Sequence, residues 1–215
     1  MRIKYLGHST FVITSDTGVK IITDPYGTAP DLTYGEITES ADIVTVSHHH
    51  VDHGNVAAVR GNPEVVSWAG RTTAKGIEVK GIASYHDEVG GELRGNNIIF
   101  CFELDGIRIC HLGDLGHLLD DKQVKEIGGV DILLIPVGGY YTIDAKAATQ
   151  VCSQLKPKVI LPMHYKTEKG IPNIVGVGEF LSSKANVTQL DTSQVEFKPG
   201  ELPATGQIIV LKPAL

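Results

Sequence analysis

Residues 47–54 read SHHHVDHG, and this stretch holds four of the chain's nine histidines together with one aspartate. The apolar run DIVTVS (42–47) leads into it, and the run NVAAVRG (55–61), which has helical spacing, follows it. The stretch, called the histidine motif below, is therefore expected at the end of a strand. A chance run of histidines and a solvated polar loop are the competing interpretations, and a set of metal ligands is the third.

The spacing within the histidine motif favours metal ligands. In an extended backbone, side chains two residues apart point to the same side, so His48, His50 and Asp52 can converge while His49 points elsewhere. His53 joins them if the chain turns at that point. Imidazole nitrogens and carboxylate oxygens are ligands that suit zinc and similar first-row ions.

Further polar residues stand where other apolar runs give way to loops. They are His86 in IASYHDE, Asp114 with His111 and His117 in HLGDLGH, and His164 in VILPMHY. A lone histidine at such a position is more often satisfied by the backbone than bound to a metal. Three such positions in a chain that already carries the histidine motif reverse that expectation and predict one shared site.

Length and charge limit the classes of protein and partner. A chain of 215 residues can bury a substantial core, and we expect one domain over residues 1–215. The net charge of −6 argues against a broad nucleic-acid-binding face, which is usually basic. We therefore expect a small-molecule substrate and no nucleic-acid partner, and the sequence leaves the oligomeric state open.

The distribution of apolar residues and cysteines indicates a cellular location. The N-terminal MRIKYLGHSTFVI lacks the pattern of a signal peptide, and no apolar run is long enough to span a membrane. We therefore expect a cytoplasmic protein without a membrane partner. The three cysteines, Cys101, Cys110 and Cys152, are odd in number and lack C-x-x-C spacing, which predicts buried free thiols.

The hydrophobic pattern predicts many short strands and few helices. The strand candidates are IKYL (3–6), TFVIT (10–14), VKIITD (19–24), DIVTVS (42–47), EVVSW (64–68), GIEVKGIAS (76–84), NIIFCFEL (97–104), IRICHL (107–112), DILLIP (131–136), KVILPM (158–163), VEF (195–197) and QIIVLK (207–212). The helix candidates are NVAAVRG (55–61), DDKQVKEIG (120–128), TIDAKAATQVCSQLK (142–156) and GVGEFLSSK (176–184). Runs of strands with few interspersed helices predict two packed sheets covered by helices, a layered α/β sandwich.

The order of these motifs resembles that of the metallo-β-lactamase-fold hydrolases. The sequence H-x-H-x-D-H, a separate histidine, Gly-Asp and a late histidine after a strand matches that family from YLGHSTFVI to PMHY, over nearly the whole chain. The chain is similar in particular to a compact branch that includes ascorbate-6-phosphate lactonase and, more distantly, N-acyl-phosphatidylethanolamine phospholipase D. The resemblance implies a four-layered αββα sandwich with metal ions at one edge of the paired sheets.

The resemblance also implies a ligand set for two divalent metal ions, with zinc expected and manganese or iron as alternatives. One ion would be bound by His48, His50 and His86, the second by Asp52, His53 and His164, and Asp114 would bridge the two. The expected pocket residues are His8, Tyr140, Tyr141, Thr142 and Tyr165. Thr142 stands where the phospholipase has a functional histidine, so the lipid substrate of that enzyme is not carried over.

Two further residues have expected roles near the metals. Asp24 in ITDP can orient a metal-bound histidine, and an Asp-Pro turn is the alternative reading. His111 shares the inward face of its strand with Ile107 and Ile109, which favours a buried histidine over a ligand.

These ligands predict hydrolysis. Two divalent ions about 3.5–4 Å apart can share a water, lower its pKa and hold the resulting hydroxide as the nucleophile. Asp52 can orient that hydroxide, and Asp52 and Asp114 are the expected catalytic residues. Small ester, lactone and phosphodiester substrates all suit this chemistry. A metal-binding module without activity and a diiron redox protein of the same fold are the alternatives.

Overall fold

The computed structural model describes residues 1–204 and 206–215, and in these residues the strands form two sheets. The first sheet has six strands in the spatial order β13 (Gln194–Glu196), β1 (Arg2–Gly7), β2 (Thr10–Thr14), β3 (Lys20–Thr23), β4 (Ile43–Thr45) and β5 (Glu64–Val66). The second has eight, in the order β12 (Val187–Gln189), β14 (Gln207–Val210), β11 (Val159–Met163), β10 (Ile132–Pro136), β9 (Ile107–His111), β8 (Asn96–Leu104), β7 (Ile77–Tyr85) and β6 (Gly70–Ala74).

The helices are short, and each begins at a recognisable local signal or on a core contact. They are α1 (Asp121–Ile127), α2 (Ala145–Leu155) and α3 (Gly178–Leu181), with a 3₁₀ turn at Val56–Ala58. Asp120 caps α1 and Asp144 caps α2, each accepting a backbone N–H from the first turn. None of the helices in the described part of the chain is long and apolar enough to cross a membrane.

The two sheets pack face to face. Because side chains alternate along a strand, each strand of the first sheet has an inner side facing the second sheet and an outer side. Ile13 and Ile21 belong to the core cluster shared with the second sheet, whereas Val12 and Ile22 belong to a separate outer cluster. The outer face of the second sheet is covered by helices, with Val151 of α2 fully buried in the shared core. The predicted layered sandwich is confirmed.

The outer layer over the first sheet is built differently from the helical layer over the second. Tyr26, Leu32, Tyr34 and Ile37, all from the irregular segment 24–41, form this layer on the outer cluster. The predicted helix over 55–61 is wrong: only the 3₁₀ turn forms there, and its preceding residue, Asn55, makes no side-chain cap. Without a cap, so short a run does not support a longer helix.

Every predicted strand run contains a strand, but β6 and β12 escaped prediction. These two are the edge strands of the second sheet, and in their sequences, GRTTA and VTQ, only Ala74 is buried. An edge strand needs no continuous apolar face, so its sequence gives a weak signal. The three cysteines are free as predicted, but Cys101 and Cys152 are half-buried and Cys110 alone among them is buried.

The topology gathers many strand ends at one edge of the sandwich. Strand β3 is parallel to β4, and β9, β10 and β11 are parallel to one another. Strand β7 runs antiparallel to β8, which is antiparallel to β9, so β7 points the same way as β9. In the first sheet the loops that follow β3 and β4 therefore leave at one edge, and in the second sheet so do the loops that follow β7, β9, β10 and β11. The two edges lie together, since His53 after β4 lies 3.2 Å from Asp114 after β9.

Close backbone packing holds two of these loops together. Gly116, in the loop after β9, donates its N–H to the Tyr85 carbonyl at 2.9 Å, and a Cβ at Gly116 would collide with the backbone of His86 and Asp87.

We predict that Gly116→Ala lowers the free energy of unfolding by about 1–3 kcal/mol, because the added methyl must displace backbone. Urea denaturation measures this change. The control is Gly178→Ala at the exposed first residue of α3, where an added Cβ meets nothing within 4 Å. Equal stability of the two variants would show that the two loops are not held by this contact.

Candidate metal centre

Polar side chains from several loops meet at the common edge. Three of them, His48, His50 and His86, have ring nitrogens that all lie within 4.8 Å of one another. His48 and His86 are buried, whereas His50 is exposed. The first group of expected ligands is thus brought together by the structure, at the carboxyl ends of β4 and β7.

A second group lies beside the first. His8, Asp52, His53 and His164 also offer ligand atoms within 4.8 Å of one another. The Asp52 carboxylate Oδ2 lies 3.1 Å from His8 Nε2 and 3.6 Å from His53 Nε2. His8, which the sequence placed only in the substrate pocket, thus stands among the ligand candidates. The signal for it was its position between β1 and β2, at another strand end.

The Asp114 carboxylate lies between the two groups. Its Oδ2 is 3.2 Å from Nε2 of both His53 and His86, 3.3 Å from Nε2 of His164 and 3.9 Å from Nε2 of His48. Asp114 is only 2% exposed. The arrangement gives one carboxylate contact with imidazoles of both groups.

The histidine motif does not follow the extended path expected of it. Residues 47–53 form bends and a turn, closed by a hydrogen bond from the His53 N–H to the His50 carbonyl at 3.0 Å. This turn directs His48 and His50 to the first group, and Asp52 and His53 to the second. His49 is exposed and outside both groups. An extended strand would have placed His48, His50 and Asp52 on one side. The turn instead divides the side chains of the motif between the two groups.

Hydrogen bonds on the far side of three rings fix their orientation. His53 Nδ1 donates to Asp24 Oδ2 at 3.0 Å, so Asp24 orients a histidine of the second group. The Ser47 hydroxyl donates to Asp24 and accepts from His48 Nδ1 at 2.9 Å. His86 Nδ1 donates to the Tyr141 carbonyl at 3.0 Å. Because Nδ1 carries the proton in each ring, Nε2 is directed to the centre, as in metal-bound histidines.

The charges at this centre shift its pKa values in opposite directions. Burial, with His53 nearby, lowers the pKa of His48 to about 3, and burial together with His164 lowers the pKa of His8 to about 4. Burial opposes the charged forms of His53 and Asp114 as well, but nearby charges outweigh it. The Asp114 carboxylate raises the pKa of His53 well above its usual value, and His164 followed by His53 holds the pKa of Asp114 well below its usual value.

Two buried polar atoms test whether the centre fits a cation. His48 Nε2 and Asp114 Oδ1 have no hydrogen-bond partner within residues 1–204 and 206–215, although buried polar atoms are nearly always paired. The donor set of imidazoles and carboxylates is typical of sites for zinc, manganese and iron. The residues present therefore fit divalent cations.

His111 lies outside this centre, as the alternation of its strand predicted. It is fully buried, its Nε2 donates to the Ser9 carbonyl at 3.0 Å, and its Nδ1 accepts the Gly113 N–H at 3.2 Å. Both ring nitrogens are thus used by backbone, which leaves none for a metal ion.

An open pocket of about 290 Å³ reaches the centre from outside. It is lined by His50, Asp52, His86, Leu93, Arg94, Asp114, Tyr141 and His164. Leu93 and Arg94 were not anticipated, because nothing in the sequence shows that the loop between β7 and β8 folds back over the centre.

Of the five expected pocket residues, only Tyr141 lines the pocket, and His8 lies in the second ligand group. Thr142 is buried, with its hydroxyl donating to the Ile143 carbonyl at 3.3 Å. Tyr165 belongs to the core, and its hydroxyl donates to the Leu211 carbonyl at 3.3 Å. Thr142 and Tyr165 each directly follow a residue of the pocket, and adjacent side chains point in different directions. Tyr140 is exposed beside Tyr141.

Comparison with known proteins gives the family. Residues 2–164 match the family described as the beta-lactamase superfamily domain. The chain belongs to this superfamily. The predicted family and fold class are confirmed.

Relatives within the beta-lactamase superfamily include proteins named UPF0173 metal-dependent hydrolase. The one from Carboxydothermus hydrogenoformans is 33% identical over 84% of this chain and 90% of its own length. The one from Archaeoglobus fulgidus is 28% identical over 94% of this chain and 97% of its own length. A crystal structure from Thermotoga maritima, of a candidate Zn-dependent hydrolase of the metallo-β-lactamase superfamily, is 38% identical, with a TM-score of 0.81 and coverage of 98% and 97%. The chain is accordingly a metal-dependent hydrolase of the metallo-β-lactamase superfamily with a candidate His/Asp metal cluster.

We predict that His86→Ala and His111→Ala have different effects on bound metal. His86→Ala should lose metal because Nε2 faces the centre, whereas His111→Ala should keep its metal and lose about 1–3 kcal/mol of stability through unpaired backbone groups. Elemental analysis of both purified variants measures the metal. Full occupancy of His86→Ala beside a metal-poor His111→Ala would contradict the ligand assignment.

Proposed function

We propose that this chain hydrolyses a small ester, lactone or phosphodiester with the help of two divalent cations, zinc being the first candidate. His48, His50 and His86 would hold one cation, and Asp52, His53 and His164 the other, with Asp114 shared. The observation that carries this proposal is the contact of Asp114 Oδ2 with His86 of one group and with His53 and His164 of the other. The histidine motif and its partners thereby offer two groups of donors around one buried carboxylate.

Bound there, divalent cations would supply water activation and polarisation of the attacked oxygen. Asp52 is suited to orient the attacking water, since its carboxylate is half-buried and faces the pocket. Burial opposes its charge, but the hydrogen bond from His8 holds the pKa of Asp52 well below its usual range, so it is ionised at neutral pH. His8 Nε2 also belongs to the second group, and as the Nδ1–H tautomer His8 would give up this hydrogen bond and act as a further ligand of the second cation.

The pocket supports a small-molecule substrate. Its volume of about 290 Å³ is at the lower end of ligand-binding sites, and its walls combine the polar centre with the side chains of Leu93 and Tyr141. A compact substrate with one hydrolysable bond would fit such a space.

We predict that protein reconstituted with zinc, manganese or iron binds two ions per chain, and that a chelator abolishes hydrolysis of a panel of phosphodiesters, lactones and esters. Asp114→Asn should lower both metal content and hydrolysis strongly, because an amide replaces the shared carboxylate without changing its size. Elemental analysis, an optical spectrum to recognise iron, and initial rates provide the measurements.

The matched control for this experiment is His49→Gln, an exposed position of the histidine motif outside both ligand groups, which should retain two ions. A stoichiometry that stays at one after metal soaking would rule out the two-cation site. Two bound ions without turnover of any substrate class in the panel would favour a metal-binding module.

A further inference from the structure

We propose that Arg94 binds an anionic group of the substrate, a carboxylate or a phosphate, next to the bond that is cleaved. This inference rests on the proposed function, and it further specifies that the substrate carries a negative charge. It concerns the pocket wall formed by the loop 86–95, which connects β7 to β8.

Arg94 is the one permanently charged cation among the residues that line the pocket within the described chain. It is half-buried, yet in residues 1–204 and 206–215 no carboxylate lies within 4.0 Å of its guanidinium. Two other arginines of the chain do form such pairs, Arg71 with Glu78 and Arg108 with Asp131. A guanidinium with donors to spare, facing a pocket, is suited to bind a planar or tetrahedral anion in two places at once.

The loop that carries Arg94 is held firmly by one side chain. The Asp87 carboxylate accepts the backbone N–H groups of Val89, Gly91, Leu93 and Arg94 at distances of 2.8–3.0 Å. Burial opposes the charge of Asp87, but these four hydrogen bonds lower its pKa to about 2. Arg94 is therefore presented from an ordered backbone that costs little further entropy when a ligand binds.

A second contact directs the guanidinium. It lies 5.7 Å from the ring centre of Tyr141, within the range of a cation–π interaction. The Tyr141 carbonyl in turn accepts from His86 of the first ligand group. Arg94 is thus linked through one residue to the metal centre, and an anion bound by it would lie in the same pocket as Asp52 and Asp114.

The neighbouring Leu93 adds an apolar surface to this wall. Its side chain is 72% exposed and lines the pocket. The wall therefore combines one cation with one apolar side chain. It suits a substrate in which an anionic group and a short hydrocarbon segment lie on the same side of the bond that is hydrolysed.

A structural role is the competing explanation for Arg94. The guanidinium could serve only to hold the Tyr141 ring. In that case its replacement would affect neutral and anionic substrates equally, and it would leave the binding of simple anions unchanged.

The test uses metal-reconstituted protein with wild-type Arg94, Arg94→Gln and Arg94→Lys, and with Arg60→Gln as an exposed control outside the pocket. Calorimetric titration with inorganic phosphate and with acetate measures anion binding without turnover and separates the two anion classes. We expect Arg94→Gln to weaken the binding of the preferred anion by about tenfold or more and Arg94→Lys to weaken it less. Arg60→Gln should match the wild type.

Hydrolysis supplies the second readout, with 4-nitrophenyl butyrate and mono-4-nitrophenyl succinate, which share the scissile ester and differ in a terminal carboxylate. If Arg94 prefers a carboxylate, Arg94→Gln should lower kcat/KM for the succinate ester and leave kcat/KM for the butyrate ester unchanged. If Arg94 prefers phosphate, Arg94→Gln should weaken only the binding of phosphate. Unchanged titration of both anions, or equal losses on both esters, would overturn the proposal for Arg94. Failure of the wild type to hydrolyse either ester would count against the proposed function, while the titrations would still decide the role of Arg94.

Discussion

The charge of one buried carboxylate, that of Asp114, is the constraint on which the functional edge of this protein depends. Burying an isolated carboxylate costs several kcal/mol. Here the cost is offset by three imidazoles, those of His53, His86 and His164, whose Nε2 atoms lie 3.2–3.3 Å from Asp114 Oδ2. These histidines come from loops after β4, β7 and β11. The two sheets must therefore be packed together correctly for the charge of Asp114 to be compensated. Divalent cations would satisfy the same carboxylate more fully, because Asp114 Oδ1 and His48 Nε2 have no other partner in the described residues.

Hydrogen bonds from the residues around this centre fix the orientation of its histidine rings. Asp24 holds His53 directly and His48 through Ser47, while the Tyr141 carbonyl holds His86. Such contacts set which nitrogen of each ring is available before any cation arrives. The same logic extends to the pocket wall, where Asp87 orders the loop that carries Arg94. The residues that would bind the cations and the substrate are thus held in position by a second set of residues behind them.

The sequence predicted the sandwich and one shared site of polar residues from local signals, whereas the division of these residues into two ligand groups came from the family resemblance. Strand ends are visible as apolar runs that stop at polar residues, and parallel strands bring such ends together. The edge strands β6 and β12 gave no such signal, since little of them is buried. Loop paths were equally hidden. The turn at residues 50–53 is closed by a local hydrogen bond that the alternation of the sequence does not indicate. The approach of Arg94 to the pocket and the inward direction of Tyr165 depend on contacts with residues distant in sequence. His8 was placed near the metals, but its inclusion in the second ligand group required the fold.

The most direct test of the central claim is an anomalous difference map from crystals of the manganese- or zinc-reconstituted protein, measured at the absorption edge of the metal. Two peaks are expected on either side of the Asp114 carboxylate. One should lie within bonding distance of His48, His50 and His86, and the other within bonding distance of Asp52, His53 and His164. A single peak, or peaks that Asp114 does not contact, would contradict the account of a carboxylate shared between two cations.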